Sequence, residues 1–270
     1  MTKRIKFLMG ADPEFIIKNS AGIIYSDSYD LGHGNEFGED GSGIPFELRP
    51  KPAYTPEGLV KNIKEAMQEG SLKQISTAKW QAGSFYRNTS EDIPIGGHIH
   101  FGTKGIISPA KLIKFLDIYL GIPVSRITNE DGKRNRRESG YGEYGDYRVQ
   151  KWGVEYRTLS SWLISPQIAK AVLSLAKVAA YECIKCNRRE YLKLIKNRSL
   201  FIDSEGFGIH TIIRLIRKFK LYKKYKKDIE VIFSMIKKKK TWNTKTNIRT
   251  SWGIKFKKIN KKLKVEEILI

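Results

Sequence analysis

Apolar and polar residues alternate with two different periods along the chain, and the change of period predicts where strands and helices lie. Alternation with a period of two, which is typical of strands, occupies segments 5–18, 22–26, 44–50, 80–87, 98–102 and 152–162. Spacing near 3.6 residues, which is typical of helices, occupies segments 56–70, 111–121 and 166–194, and a Ser-Pro or Thr-Pro pair precedes each. The glycine-rich segment 32–43 and the basic segment 134–145 are predicted loops. This irregular succession of strands and single helices predicts an α+β fold with a mostly antiparallel sheet.

Four of the predicted strands carry two polar residues that share one face, because residues i and i+2 of a strand point the same way. The pairs are Asp12 and Glu14, Glu47 and Arg49, His98 and His100, and Glu155 and Arg157. A solvated sheet face produces such alternation without any function. These eight positions, however, hold acids, imidazoles and guanidinium groups and no lysine. If the pairs share one face, they favour two or three Mg²⁺ or Mn²⁺ ions with a nucleotide.

Pro13 lies between the first two of these acids and has no N–H to donate to a strand pairing. We therefore expect the segment around it to lie at a strand end, at a sheet edge or in a bulge.

Four segments that contain these pairs follow one another in a recognisable order: GADPEF, GEDGSGIPFELRP, GGHIHFG and GVEYRTLSSWL. Together they resemble the glutamine synthetase and glutamate–cysteine ligase superfamily of carboxylate–amine ligases. More narrowly, they resemble the phage-encoded amidoligases of the carboxylate–amine ligase type 2 group, over about residues 5–165. The resemblance implies a curved, mostly antiparallel sheet with flanking helices that holds ATP and Mg²⁺ or Mn²⁺. It also implies ATP-dependent amide formation through an acyl phosphate, from small-molecule or peptide carboxylates and amines.

The resemblance further implies a role for each matching residue. It makes metal ligands of Asp12, Glu14, Asp40, Glu47, His98 and Glu155, with Asp12 at the position of a glutamate in the family. Glu155 would hold the metal that bridges the β- and γ-phosphates, and Arg157 would stabilise the transferring phosphoryl group. His100 would contact phosphate, and Arg49 is a further candidate for that contact.

The basic segment 134–145 contributes Arg136 and Arg137, and Arg148 follows it. Two interpretations stay open for these arginines, a clamp over phosphates or over an acidic substrate and a solvated basic loop.

Charge divides the chain unevenly and predicts two parts. The net charge is +22, and residues 211–270 hold 20 lysines and arginines against 4 acids. We predict an amidoligase catalytic domain at 1–200 and a basic, largely helical C-terminal extension at 201–270. An apolar stripe of Ile212, Leu215, Phe219 and Tyr222 favours packing of this extension on the body, and the lysines of the extension favour contact with a polyanion such as nucleic acid.

Composition narrows the classes of protein to which the chain can belong. No apolar run approaches the roughly 20 residues that span a bilayer, and no signal peptide is recognisable. We therefore expect a cytoplasmic protein, in the cytoplasm of a bacterial host if it is phage-encoded, with Cys183 and Cys186 as reduced thiols. A metal-dependent hydrolase is an alternative, but it needs further histidines, and only His210 follows. A nucleic-acid-binding phage protein with a metal site explains the basic tail but not the four polar pairs.

Overall fold

The protein has an α+β fold built on an antiparallel sheet, as the alternation of apolar residues predicts. A computed structural model describes residues 5–29, 31, 34–41, 43–70, 78–87, 91–196 and 208–255, and only the backbone of Tyr29. Every strand pair in these ranges is antiparallel. Among the described helices, none combines the length and the apolar character that crossing a bilayer requires.

The main sheet has the strand order β3-β4-β1-β8-β10-β9, and β2 and β5 pair with the far end of β1. Its strands are β1 (Met9–Asn19), β2 (Gly22–Ile24), β3 (Phe37–Glu39), β4 (Phe46–Leu48), β5 (Lys79–Gln81), β8 (Gly97–Phe101), β9 (Tyr147–Gln150) and β10 (Gly153–Tyr156). A separate hairpin consists of β6 (Phe85–Arg87) and β7 (Asp92–Pro94). The long first strand therefore joins every part of the main sheet.

Nine described helices pack on the main sheet, on the β6–β7 hairpin or on one another. They are α1 (Pro56–Gly70), α2 (Pro109–Leu116), α3 (Ile122–Ser125), α4 (Glu130–Glu138), α5 (Pro166–Lys185), α6 (Arg188–Ile195), α7 (Ile209–Ile216), α8 (Tyr222–Lys237) and α9 (Ile248–Ser251). A π-helical turn, Asp117–Gly121, joins α2 to α3. The apolar neighbours of the polar pairs, such as Ile99 and Tyr156, are fully buried in the core beneath the helices.

Three predicted elements differ from the structure. The strand predicted at 80–87 is broken after Gln81, and its two halves join different sheets. The helix predicted from 166 to 194 is two helices, because the backbone is extended at Cys186 and Asn187 caps a new helix. The basic segment predicted as a loop begins inside helix α4, which Asn129 caps at its N-terminus.

Pro13 also corrects an expectation, because β1 continues straight through it in the middle of the sheet. Glu14 N donates to Gly96 O at 2.9 Å, so the nitrogen of Pro13 points to the opposite side, towards β4. Pairing with β4 starts only at Glu14. The missing N–H therefore falls just outside that ladder and removes no strand hydrogen bond.

The C-terminal helices pack on the body of the protein. Helix α8 lies along α5, and Ile212, Phe219 and Tyr222 of the predicted apolar stripe are buried. Trp252 Nε1 donates to Leu163 O at 2.7 Å, and Trp242 N donates to Ile127 O at 2.8 Å. The boundary predicted at residue 200 lies outside the described residues, so the division into two parts stays a prediction.

Candidate active site

One face of the sheet brings together the polar residues that the strand pattern singled out. The registers oppose them in pairs: Asp12 and His98, Glu14 and Glu47, His100 and Glu155, and Glu155 and Arg148. Directly opposed residues of an antiparallel pair point to the same side of the sheet. Four neighbouring strands and the edge strand β9 therefore present these side chains to one surface.

Carboxylates and imidazoles crowd the centre of this surface. His98 Nδ1 is 3.4 Å from Asp12 Oδ1 and 3.6 Å from Glu155 Oε1. His98 Nε2 is 3.8 Å from Glu14 Oε1, and His100 Nε2 is 3.1 Å from Asp12 Oδ2. Three sets of side chains have potential ligand atoms within 4.8 Å of one another: Asp12, His100 and Glu155; Asp12, Glu47 and His98; and Glu14, Asp40 and Glu47. All six residues predicted as metal ligands belong to these sets.

The nitrogen and oxygen atoms of this cluster are better placed to bind a cation than to form hydrogen bonds with one another. Asp12 Oδ1, His98 Nδ1 and His100 Nε2 are buried, yet none has a hydrogen-bond partner among the described residues. Buried polar atoms are normally hydrogen bonded, so each such atom requires an explanation. Carboxylate oxygens with one or two imidazoles are a donor set for a divalent cation such as Mg²⁺ or Mn²⁺.

Ionisation in the cluster reflects burial and crowding. Burial, reinforced by the nearby charge of Asp12, raises the pKa of Glu47 to about 9, and burial also raises the pKa of Glu14. Burial alone would raise the pKa of Asp12 as well, but contact with His100 and His98 outweighs burial and lowers it. Burial opposes protonation of His98, but Asp12 and Glu14 raise its pKa. The five acids of these three sets lie so close together that protons or cations must balance their charge.

Glycines make room for the cluster and for a buried arginine. A Cβ at Gly96 would lie 2.4 Å from His98 Nε2 and 3.0 Å from Arg136 Nη2. Gly142 has a φ of +78°, and a Cβ there would meet Arg136 Nη1. Neither position leaves space for a larger residue unless these side chains move.

The arginines that the sequence analysis singled out differ in whether they line the cavity above the cluster. Arg136, Arg148 and Arg157 line the cavity above the cluster. Arg49 is in an ion pair with Glu47 and donates to Glu39 O at 2.8 Å. Arg137 stacks over the ring of Tyr144, with 5.1 Å between its Cζ and the ring centroid, and is not among the residues that line this cavity.

Arg136 is the deepest of the three that line the cavity. Its side chain is buried and donates to Thr158 O at 3.2 Å and to Arg157 O at 3.3 Å. Burial lowers the pKa of Arg136 to about 10, so the group keeps its charge at neutral pH. Arg157 Nε lies 3.5 Å from Glu155 Oε1 and has no hydrogen-bond partner among the described residues.

The cavity has a volume of about 560 Å³ and continues beyond the acids. Its far wall includes Asp92, Ser139 and Tyr141, which the sequence analysis did not single out. None of these residues belongs to a strand predicted from the sequence. Asp92 lies on the short strand β7, and Ser139 and Tyr141 follow α4. The lining of the cavity therefore includes more than the metal-ligand cluster.

A second, apolar cavity of about 250 Å³ adjoins the other end of the cluster. Its lining includes Leu8, Gly10, Gly102, Trp152 and His100. The rings of Trp152 and His100 are 4.9 Å apart, and 40% of Trp152 is exposed. The sequence analysis missed Trp152, although its position in the short turn between β9 and β10 follows from reading YRVQKWGVEY as a hairpin.

Comparison with known proteins gives a family for the chain. No curated protein matches it. It resembles the crystal structure of a bifunctional glutathione synthetase from Pasteurella multocida, with 9% identity, a TM-score of 0.49 and coverage of 92% of this chain and 48% of that one. It also resembles the crystal structure of a novel glutamine synthase homolog, with 11% identity, a TM-score of 0.42 and coverage of 86% and 70%.

The chain thus spans about half the length of that glutathione synthetase, and neither likeness is close enough to assign an activity. A family model, in contrast, matches residues 9–254, which include the whole cluster and all the described C-terminal helices. The chain therefore belongs to the phage phiEco32-like COOH.NH2 ligase family, type 2.

Proposed function

We propose that the protein joins a carboxylate to an amine in an ATP-dependent reaction with an acyl-phosphate intermediate. The observation that carries this proposal is the single sheet face on which buried carboxylates, two imidazoles and guanidinium groups meet. The order of the cavities and the metal-ligand cluster along strand β1 also supports the proposal. Along β1, Gly10 borders the apolar cavity, Asp12 lies in the middle and Glu14 borders the far part of the large cavity.

That order matches the order of parts in a nucleotide-dependent ligase. Residues 10 to 14 span about 13 Å of strand, at roughly 3.3 Å per residue. We propose that the nucleotide base occupies the apolar cavity beside Trp152 and that the phosphates extend past His100. The carboxylate and amine substrates would then occupy the far part of the large cavity.

The metal-ligand cluster would hold Mg²⁺ or Mn²⁺ through Asp12, Glu14, Asp40, Glu47, His98 and Glu155. When bound, these ions neutralise charge on the phosphate oxygens. Two buried atoms of these residues, Asp12 Oδ1 and His98 Nδ1, have no hydrogen-bond partner among the described residues, which supports this assignment. Glu155 is central because it contacts His98, Arg157 and Arg148, and Gln150 Nε2 donates to it at 3.0 Å.

In the first step, a substrate carboxylate oxygen attacks the γ-phosphorus of ATP and the bond to the β-phosphate oxygen breaks, which releases ADP. We expect Arg157 to contact the equatorial oxygens of the phosphoryl group in transit, because its guanidinium lines the cavity beside Glu155. Arg136 would hold the substrate carboxylate in place, since it is buried and charged at the cavity wall.

In the second step, the amine nitrogen attacks the acyl carbon, phosphate leaves, and the nitrogen loses a proton to a base. Of the acids that line the cavity, Asp92 is held at the rim by Arg87, with 2.7 Å between Arg87 Nε and Asp92 Oδ1. The reaction consumes ATP, so we propose that it takes place in the cytoplasm, that of the bacterial host if the protein is phage-encoded.

The test is formation of ADP and phosphate with Mg²⁺ or Mn²⁺ and a panel of carboxylates, with hydroxylamine as the amine. Hydroxylamine converts an acyl phosphate into a hydroxamate, so the product identifies the intermediate. Arg157→Lys should slow the reaction by roughly 10²–10³-fold, while Arg134→Lys should leave it unchanged, because Arg134 is exposed and paired with Asp131 at 2.8 Å.

Two other outcomes would refute the proposal in different ways. Hydrolysis of an amide without ATP would favour a metal-dependent hydrolase. Absence of any ATP binding, together with nucleic-acid binding that weakens steeply with salt, would favour a nucleic-acid-binding protein. The exposed lysines of α8 stay a candidate surface for such a polyanion.

A further inference from the structure

A third cavity, here called the lysine cavity, lies among the helices that cover the other face of the sheet. It has a volume of about 290 Å³, and its lining includes Lys6, Tyr54, Lys177, Tyr181, Lys224 and Tyr225. These residues come from the segments before β1 and α1, from α5 and from the start of α8. None of them belongs to the candidate active site.

Lys177 is buried without a carboxylate to balance its charge. It is 6% exposed, and its Nζ donates to Phe7 O at 3.0 Å and lies 3.4 Å from the centroid of the Phe7 ring. Lys170, two turns earlier on the same helix, lies 3.6 Å from Glu57 and 3.3 Å from Asp228. Among the described residues, no acid lies within ion-pair distance of Lys177. A buried charge normally has such a partner, since its desolvation is otherwise costly.

The surroundings of Lys177 add positive charge to the cavity. Burial, and then the charge of Lys224, lower the pKa of Lys177 to about 8. Lys6 also lines the cavity, and no aspartate or glutamate is among its lining residues. Lys177 and Lys224 repel one another, and a third ammonium group lines the same cavity, so the binding of an anion there would reduce the repulsion.

The walls of the cavity indicate what the rest of the ligand is like. Apart from the lysines and Thr55, the lining consists of aliphatic and tyrosine side chains, among them Leu221 and the largely buried Tyr225. Aromatic and aliphatic walls with a few charged groups are typical of sites for small organic ligands. A bare inorganic ion would leave most of this apolar surface without a contact.

We propose that the lysine cavity binds a small organic anion, with a phosphate or carboxylate group at Lys177 and an apolar body against the tyrosines. This site does not depend on the proposed ligase reaction. Segments 5–10 and 52–55 do, however, border both the lysine cavity and the apolar cavity beside Trp152. An antiparallel backbone bridge between Met9 and Ala53 joins these two segments.

The test is calorimetric titration of the full-length protein with phenyl phosphate, with phenol as the neutral analogue and inorganic phosphate as the bare anion. We expect saturable binding of phenyl phosphate and at least about tenfold weaker binding of phenol and of inorganic phosphate. Lys177→Met and Lys224→Gln should each weaken phenyl phosphate binding by about tenfold or more. Lys224 is exposed, so its substitution tests the site even if Lys177→Met fails to fold.

Lys223→Gln is the matched control. Lys223 is exposed on the same helix and its substitution removes the same charge, but it does not line the cavity. It should leave the affinity within about twofold of that of the unmodified protein. Equal weakening by Lys223→Gln and Lys224→Gln, unchanged affinity in Lys177→Met, or no saturable binding at all would overturn the proposal. A loss of binding only in Arg157→Lys would assign phenyl phosphate to the active site instead and would also overturn it.

Discussion

Trp152→Ala should weaken ATP binding without weakening the binding of the phosphates alone. Trp152 lines the apolar cavity, and its ring lies 4.9 Å from the ring of His100. Trp152 is 40% exposed, so part of the indole is accessible to a planar partner. Stacking of a base on an aromatic side chain contributes about 1–3 kcal/mol. The loss should therefore weaken ATP binding by roughly 5- to 150-fold.

The matched ligand is tripolyphosphate, which carries the charge of the ATP phosphates but has no base. Calorimetric titrations with each ligand and Mg²⁺ should give a lower affinity of Trp152→Ala for ATP and an unchanged affinity for tripolyphosphate. Trp152→Phe should retain most of the ATP affinity, because its ring can still stack. Tryptophan fluorescence gives an independent readout, since the other four tryptophans, at 80, 162, 242 and 252, are buried. Addition of ATP should change the emission of the unmodified protein but not that of Trp152→Phe.

Two results would refute this reasoning. Equal weakening for ATP and tripolyphosphate would mean that Trp152 acts on the phosphates through His100. Unchanged ATP affinity in Trp152→Ala would place the base elsewhere. Trp152 is partly exposed in a turn, so we expect the unfolding temperature to change little, and thermal unfolding checks this.

Three further predictions concern Arg157, Glu47 and Trp252. Arg157→Lys keeps a charge but loses the planar fork, so turnover should fall by roughly 10²–10³-fold, measured as hydroxamate formation beside Arg134→Lys, and equal rates would refute the assignment. Glu47 carries a proton below its pKa of about 9, so Mn²⁺ binding at pH 7 should release a proton and should strengthen as the pH rises towards 9. Titrations in buffers of different ionisation enthalpy measure that proton, and Glu47→Gln should remove it. Trp252→Ala should cost about 3–5 kcal/mol of unfolding free energy, since the side chain is 1% exposed. Urea unfolding should show this loss, whereas deletion of residues 256–270 should leave the packed segment around Trp252 in place.

The strand pattern was sufficient to predict the polar face but not its assembly. Alternation alone assigned Asp12 and Glu14, and likewise His98 and His100, to one side of their strands. It did not determine which strands are neighbours, because β1 pairs with β8 more than 80 residues away and β10 more than 50 residues beyond β8 completes the set. Pairing over such separations depends on the packing of the whole core. The resemblance to a family supplied that missing information, and the family is confirmed.

Helix α4 was missed for a different physical reason. Its sequence, EDGKRNRRE, contains no apolar residue, so no 3.6-residue spacing of apolar positions marks it as a helix. Its one buried side chain is Arg136, which inserts between glycines and faces the cavity. The break at Cys186 was visible in principle, since Asn187 and Glu190 have the spacing of a capping box.

Burial of Arg136 accounts for the place of α4, the most polar of the described helices, next to the candidate site. A guanidinium group is costly to bury unless its donors have partners, and among the described residues its hydrogen bonds go to the backbone carbonyls of Arg157 and Thr158, while the charges of Glu14 and Asp146 favour its ionised form. Those carbonyls belong to the segment that also carries the Arg157 guanidinium. Arg136 therefore fixes the backbone from which Arg157 extends and retains a charge at the cavity wall. A fold that served stability alone would gain more from an apolar side chain at this position. A charge at this wall suits the proposed function, in which Arg136 holds the carboxylate of the substrate.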